Sequence, residues 1–259
     1  MKLSYTTLAT PGYTAKESIF AAKKYGYAGV DLRVSDLQTN IDINEVRDTA
    51  QAQDIAISSL LCYPPRILPS QSSWESFKQD LLRDLKLAAA VGAPSIRTFC
   101  HIPDNLTTEW YFAKTTELLI EILERDSSDV NIYIQNHRTH ATTRQILKLL
   151  DLVSHPRVGL LFSPDHCMKL EEDLLKHPEP LLPYVRQLYI ADVYPKEDAF
   201  PDVLPGLGKV PLEELVHQFK EARFQGWASF KWEKTHHMDL AGPEIALPHF
   251  INFMARVPL

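Results

Sequence analysis

The sequence predicts an α/β protein that folds as a single (β/α)₈ TIM barrel over residues 1–259. Its length is close to the roughly 250 residues typical of such barrels. Short apolar segments alternate with longer segments of helical period, which favours parallel strands joined by helices. The turn after the first predicted strand, Ala9-Thr10-Pro11-Gly12-Tyr13, lacks the glycine-rich motif of dinucleotide-binding sheets, and the chain has only 9 glycines. A closed barrel is therefore favoured over an open doubly wound sheet.

Eight segments have the composition of buried strands. They are Leu3–Tyr5, Gly29–Arg33, Ile55–Leu61, Ser95–Cys100, Asn131–Asn136, Val158–Phe162, Gln187–Asp192 and Ala228–Trp232. Neighbouring side chains of a strand point to opposite faces, so the pattern around the last segment predicts that Lys231 points into the barrel. The same alternation predicts that Gln135, His137 and Ser163 point inward.

Helices are predicted between these segments, and several of their ends carry sequence signals. The spacing of two capping boxes occurs at Thr14 with Glu17 and at Asp42 with Glu45. Gly26 and Gly92 are predicted to end helices. The strongest helical periodicity falls in Trp74–Val91, Trp110–Leu123 and Leu212–Phe224.

Composition excludes several classes of function. The net charge of -6, from 27 basic and 33 acidic residues, argues against nucleic-acid binding. No segment approaches the ~20 apolar residues of a membrane span, so no membrane association is expected. The 3 cysteines form no CxxC pair, which is compatible with a reducing, cytoplasmic location. Exposure of aromatic residues such as Trp110-Tyr111-Phe112 would leave a homodimer open.

The candidate functional residues follow the predicted strands, because loops at the carboxyl ends of barrel strands surround the mouth where ligands bind. The candidate catalytic residues are Lys231, His137, Asp165 and His166. The candidate substrate-binding residues are Arg97, His101, Gln135, Ser163, Tyr189, Asp192 and Glu233. Histidines in loops or just past the eighth strand, such as His140, His236 and His237, are given no functional role.

Lys231 is the most informative of these candidates, because an inward lysine is costly to bury unless it is paired or hydrated. One interpretation is an ion pair with Glu233 or Asp192 at the barrel mouth. The other is an anion anchor or a catalytic cation. The two interpretations are compatible and both stay open.

Six segments, in the same order over nearly the whole chain, resemble the xylose isomerase-like TIM barrel family of sugar phosphate isomerases and epimerases. They are Gly26–Arg33 (GYAGVDLR), Gly92–Phe99 (GAPSIRTF), Ile134–His137 (IQNH), Gly159–His166 (GLLFSPDH), Leu204–Pro211 (LPGLGKVP) and Ser229–Lys234 (SFKWEK). The resemblance implies a closed barrel that binds a small-molecule sugar or sugar phosphate.

The resemblance also implies a divalent metal, held by Glu, Asp, His and Glu after strands five to eight. The matching residues here are Gln135, Ser163, Tyr189 and Lys231. Three carboxylates, a neutral imidazole and a dication sum to about -1, whereas the four residues of this chain without metal sum to about +1. No metal or other cofactor is therefore expected at this position, and a positive cavity should prefer an anionic sugar.

Three hypotheses for function follow. In the first, a metal-independent isomerase, epimerase or lyase uses Lys231 to stabilise an oxyanion or to form a Schiff base, while His137 or Asp165 transfers the proton. In the second, a non-catalytic barrel binds a sugar or a partner. In the third, a metal binds at a displaced site formed by Asp165, His166, His137 and Glu233.

Overall fold

The computed structural model describes residues 1–38, 41–137, 140–172, 175, 177–197 and 199–258. Its strands, in chain order, are β1 (Lys2–Thr6), β2 (Gly29–Arg33), β3 (Ala56–Leu61), β4 (Ser95–Phe99), β5 (Asn131–Gln135), β6 (Val158–Phe162), β7 (Val185–Ile190), β8 (Asp192–Val193), β9 (Asp202–Val203) and β10 (Trp227–Phe230). Strands β1 to β7 and β10 are parallel neighbours and form a closed eight-stranded barrel. The predicted fold class is confirmed.

Strands β8 and β9 stand outside the barrel. They pair antiparallel as a short hairpin between β7 and the next helix. The predicted seventh strand, Gln187–Asp192, is wrong at its end, because β7 stops at Ile190 and Asp192 begins the hairpin. A strand of two residues is too short to show a periodicity in sequence.

The helices cover the outside of the barrel. They are α1 (Ala15–Tyr25), α2 (Ile43–Gln53), α3 (Gln71–Val91), α4 (Thr108–Arg125), α5 (Thr143–Val153), α6 (Pro164–Lys169), α7 (Leu212–Glu221) and α8 (Pro243–Arg256). Gly26 and Gly92 end α1 and α3 in the left-handed conformation, with φ of 84° and 86°. Helix α6 has only six residues, so within the described segments the connection from β6 to β7 lacks a full-length helix.

The two predicted capping boxes differ in the structure. At the start of α1 both arms form: the Thr14 side chain accepts from the Glu17 amide, and the Glu17 carboxylate accepts from the Thr14 amide. At the start of α2 the Asp42 carboxylate accepts the Glu45 amide. The Glu45 side chain instead pairs with Lys16 at 2.5 Å, which ties α2 to α1.

The barrel interior contains a polar layer centred on Asp31, which is completely buried. Its carboxylate accepts hydrogen bonds from Ser4, Ser58, Ser229 and, at 2.6 Å, from the Gln187 side-chain amide. Burial raises the pKa of Asp31 from 3.8 to about 6, although these hydrogen bonds favour the ionised form. The position of Ser229 in this layer confirms the predicted inward face of the last barrel strand.

The aromatic residues of α4 are not exposed. Tyr111 and Phe112 are 2% and 4% exposed, and the partly buried Trp110 packs against the same core. The prediction that these aromatic residues are exposed is therefore wrong, because the helix packs their rings against the core. A homodimer stays a prediction. Among the described residues, no helix is both long and apolar enough to cross a membrane.

Candidate functional site

A cavity of about 740 Å³ opens at the carboxyl end of the barrel strands. The predicted site residues that line it are Arg97, Gln135, His137, His166, Tyr189, Lys231 and Glu233. These side chains come from β4, β5, β7 and the segments that follow β5, β6 and β10. The alternation of strand faces thus brings residues that are far apart in sequence to one mouth.

The remaining predicted site residues lie elsewhere. Ser163 and Asp165 are fully buried and lie outside the lining of this cavity. His101 lines a second, adjacent cavity. Asp192 lies below the loop that follows the hairpin and does not reach the main cavity.

The Lys231 ammonium is paired with Asp165. Its Nζ lies 2.9 Å from Asp165 Oδ2 and 3.9 Å from Glu233 Oε1. The same carboxylate accepts from Lys169 at 3.3 Å and from the Ser163 hydroxyl at 2.6 Å. Glu233, one of the two predicted partners of Lys231, is therefore farther from the ammonium than Asp165 is. Asp165 was predicted as a catalytic residue and not as the partner of Lys231.

Asp192, the other predicted partner of Lys231, has a structural role. Its two carboxylate oxygens accept the backbone N–H groups of Val193, Gly206, Gly208 and Val210 at 2.9–3.1 Å. A carboxylate that accepts several amides fixes a loop tightly. The expectation that Asp192 pairs with Lys231 is wrong, because these four amides surround it instead.

The protonation states at the mouth are set by burial and by close charges. Burial opposes ionisation of Asp165, yet the neighbouring His166, Lys231 and Lys169 hold its pKa well below the usual range. Burial also disfavours the charged form of Lys231, but Asp165 and Glu233 outweigh it and raise its pKa. Lys231 is consequently an ammonium at neutral pH, which disfavours its action as a Schiff-base nucleophile.

The two histidines beside this pair are neutral at physiological pH. Burial, with help from the charges of His140 and Lys231, lowers the pKa of His137 to about 3. Burial also lowers the pKa of His166 well below its usual value. His166 Nε2 lies 3.2 Å from Lys231 Nζ and can only accept from it, so its proton is on Nδ1. Both imidazoles are weak bases that can still form hydrogen bonds with a ligand.

Arg97 is a buried cation without a carboxylate partner in the segments that the structure describes. Its side chain is 2% exposed, and the guanidinium lies 4.5 Å and 4.3 Å from the ring centres of Tyr63 and Phe99. It donates to the Cys62 carbonyl at 3.3 Å and to the Tyr63 hydroxyl at 3.0 Å, while its Nε–H has no partner. Buried charges are normally paired, so this guanidinium is suited to an anionic group of a ligand.

Comparison with known proteins shows the family. Over residues 19–253 the chain matches the sequence model of the xylose isomerase-like TIM barrel. The chain belongs to the xylose isomerase-like TIM barrel family. A comparison with curated protein sequences finds no significant match.

Solved structures of xylose isomerase-like barrels superpose on the chain. D-psicose 3-epimerase from Clostridium cellulolyticum H10, with D-tagatose, has a TM-score of 0.82 and 14% identity over 99% of both chains. The IOLI protein with a bound zinc atom has a TM-score of 0.83 and 15% identity over 100% of this chain and 99% of that one. A xylose isomerase-like TIM barrel/4-hydroxyphenylpyruvate dioxygenase fusion protein has a TM-score of 0.78 and 15% identity over 96% of this chain, which spans only 41% of its length. At these identities the likeness shows the fold.

The xylose isomerase-like family resemblance implies a metal, and the residues at the matching positions do not fit one. They are the Gln135 amide, the Ser163 hydroxyl, the Tyr189 phenol and the Lys231 ammonium. The Ser163 hydroxyl already donates to Asp165, and the Lys231 ammonium would repel a cation. Across the described ranges, no group of three or more His, Cys, Asp or Glu residues is arranged to hold a metal ion, which includes the proposed displaced site.

Several residues that line the mouth of this xylose isomerase-like barrel were not predicted. Asp202 and Phe200 come from the hairpin segment, and Lys169 comes from α6. His236 and His237, which had been given no role, lie on the cavity wall past β10. The hairpin residues could not be found from strand ends, because the insertion itself was not predicted.

Asp202 is the most important of the unpredicted residues. It is half-buried and lines the cavity, and burial raises its pKa even though the charges of Lys231 and Lys169 oppose the shift. The nearby Glu233 carboxylate adds to the upward shift. A carboxylate with a raised pKa at a ligand-binding mouth is suited to proton transfer.

Proposed function

We propose that this protein binds an anionic sugar, a sugar acid or sugar phosphate, and isomerises or epimerises it without a metal at the Lys231 position. The observation that carries the proposal is Arg97, a buried guanidinium with no carboxylate partner in the described chain, on the wall of the same cavity as Lys231. A carboxylate or phosphate of the ligand would supply the missing counter-charge through a charge-assisted contact.

Arg97 supports the choice of an anion better than Lys231 does. The cavity wall carries Arg97, Lys169 and Lys231 together with the carboxylates of Asp202, Glu233 and Asp239. Asp165 already neutralises Lys231, so the expected general positive charge of the cavity is not what selects the ligand. Selection rests on a guanidinium that lacks a carboxylate partner among the described residues and that lies against the rings of Tyr63 and Phe99.

Lys231 has one donor left for a reacting oxygen. An ammonium carries three N–H groups, of which one is directed to Asp165 and one to His166 Nε2. The third is free to donate to the carbonyl oxygen of a ligand in the cavity. A fixed, desolvated ammonium stabilises the negative charge that develops on this oxygen, which is the work that a metal does in a metal-dependent isomerase.

Asp202 is assigned the proton transfer, in place of His137 or Asp165. Its carboxylate would take the proton from the carbon next to the carbonyl, and the C–H electron pair would move toward the carbonyl oxygen beside Lys231. Return of the proton to the former carbonyl carbon gives an isomer when the hydroxyl proton of the first carbon also moves to the former carbonyl oxygen. Return to the opposite face of the first carbon gives an epimer. Glu233, 3.9 Å from Lys231, is the second carboxylate available for the return.

The test measures exchange of carbon-bound hydrogen, which reports deprotonation even when no product accumulates. Protein treated with a chelator is incubated in D₂O with uronic acids and hexose phosphates, and deuterium incorporation is followed by ¹H NMR. We expect incorporation by the wild type and a loss of at least about a hundredfold in Asp202→Asn, the size typical of a lost acid–base group. Glu172→Gln, on a carboxylate that binds Thr143 away from the cavity, is the matched control. Incorporation that requires added metal would contradict the proposal.

The second candidate function is a non-catalytic, sugar-binding barrel. It is favoured by the fact that Asp165, His137 and His166 all have pKa values far from neutral, so three of the four residues predicted to be catalytic are poor proton carriers at pH 7. Calorimetric binding of an anionic sugar that depends on Arg97, together with no deuterium incorporation for any ligand that binds, would support this candidate over catalysis.

A further inference from the structure

A second cavity of about 370 Å³ lies beside the main one. Tyr63, Phe99 and His137 line both cavities, so the two are adjacent. The volume of the second is within the range of about 300–1,000 Å³ that small-molecule sites have. A ligand held by Arg97 in the main cavity therefore has a space next to it that is large enough for a further ring.

The walls of the second cavity combine flat apolar surfaces with imidazoles. The flat surfaces are the rings of Tyr63, Pro64, Pro65, Phe77, Phe99 and Tyr111. The imidazoles of His101, His137 and His140 lie in a chain, with ring centres 4.6 Å apart between His137 and His140 and 4.5 Å apart between His140 and His101. Ring faces pack against the C–H face of a sugar, and imidazole nitrogens accept from or donate to its hydroxyl groups.

The charge of the second cavity argues for a neutral occupant. Its described lining contains no Asp or Glu, and its one permanently charged side chain is Arg66, which is exposed. Burial lowers the pKa of both His101 and His137, so these imidazoles remain neutral hydrogen-bonding groups. A cationic group would have no counter-charge here, and an anionic group is better served by Arg97 in the main cavity.

We propose that the second cavity binds a neutral sugar ring, linked to the anionic sugar that occupies the main cavity. The substrate is then a two-ring compound in which a sugar acid carries a second, uncharged sugar unit. This inference rests on the proposed function, because it takes the anionic unit beside Arg97 as its fixed end. A plain aromatic ring would use the flat walls but would offer no hydroxyl groups to the imidazoles that line this cavity.

The test compares ligands that differ only in the second ring. Calorimetry is carried out with D-glucuronic, D-galacturonic and D-mannuronic acid, with the disaccharides in which each is linked to D-glucose, and with the phenyl glycoside of each. For the uronic acid that binds best, we expect the disaccharide to bind about tenfold more tightly than the monosaccharide, the size of one or two well-made contacts. In His140→Ala, we expect the dissociation constants of the monosaccharide and the disaccharide to be nearly equal.

The outcomes separate this inference from the proposed function. Arg97-dependent binding of a uronic acid with no gain from the second sugar would overturn the inference and leave the proposed function in place. Tighter binding of the phenyl glycoside than of the disaccharide would also overturn it, in favour of an aromatic unit. Failure of every uronic acid to bind would contradict both. His101→Ala repeats the ratio measurement at the other end of the histidine chain, in case His140→Ala does not fold.

Discussion

Lys231 Nζ lies 2.9 Å from Asp165 Oδ2, and both side chains are almost completely removed from water. Replacing one member of such a pair leaves a buried charge without compensation, whereas replacing both removes the problem. We expect Asp165→Asn to lower the free energy of unfolding by about 3–5 kcal/mol. The double variant Asp165→Asn with Lys231→Met should recover most of this loss. Urea denaturation measures both, and a double variant no more stable than the single one would contradict the pairing.

The buried Asp31 predicts a specific pH dependence of stability. Its pKa is raised from 3.8 in a free side chain to about 6 in the folded protein, so folding favours the protonated form. The stabilisation is fully present below pH 3.8 and is lost as the pH rises through about 6, a change of about 3 kcal/mol at ~1.4 kcal/mol per unit. The difference in unfolding free energy between wild type and Asp31→Asn should therefore fall over this window. A difference that does not vary with pH would show that Asp31 is not protonated on folding.

His137 should not titrate in the physiological range. Its pKa is lowered to about 3, mainly by burial and further by the charges of His140 and Lys231. Long-range ¹H–¹⁵N NMR of the ring should show no change between about pH 5 and 8, where an ordinary histidine titrates. A titration midpoint for the His137 ring within this range would contradict the buried environment described for it.

A substitution at Gly208 tests how strongly the Asp192 carboxylate holds the loop 206–210. A Cβ at this position would lie 2.1 Å from Asp192 Oδ1 and 2.6 Å from the Val193 carbonyl oxygen, so the carboxylate would have to move away from the amides that it binds. We expect Gly208→Ala to lower stability by at least about 2 kcal/mol, since hydrogen bonds to a charged group are lost. Hydrogen exchange of the amides of 206–210 should also become faster.

Gly12→Ala is the matched control for this substitution. Gly12 has a φ of 84°, and no atom lies within 4 Å of an added Cβ. Only backbone strain opposes an alanine there, at about 1 kcal/mol. Equal effects of the two substitutions would show that the contact with Asp192 does not hold the loop.

Much of the barrel could be predicted from sequence because its signals are local. Each predicted strand overlaps a strand of the barrel, and Gly29–Arg33 and Val158–Phe162 have the same bounds in the structure. The inward direction of Lys231 and Gln135 follows from the two-residue period of a strand, which needs no tertiary information.

The parts of the site that could not be predicted depend on contacts between distant segments. Asp165 lies on α6 and not on a strand, so alternation says nothing about its direction. Its pairing with Lys231 depends on the approach of the segments that follow β6 and β10, two strands that β7 separates in the barrel. Asp192 and Glu233 are both acidic, and each lies at or directly after the end of a predicted strand. What distinguishes them is the loop 206–210, whose amides reach Asp192 only after the chain has returned from the hairpin.

The hairpin of β8 and β9 is an attachment to the barrel and not a component of it, yet it contributes Asp202 and Phe200 to the cavity. Its base is held largely by one carboxylate, that of Asp192, while the closed ring of strands is complete without it. A change in this segment can therefore alter the cavity wall without breaking a pairing between barrel strands. In this molecule, part of the cavity wall lies on a segment that the ring of barrel strands does not need in order to close.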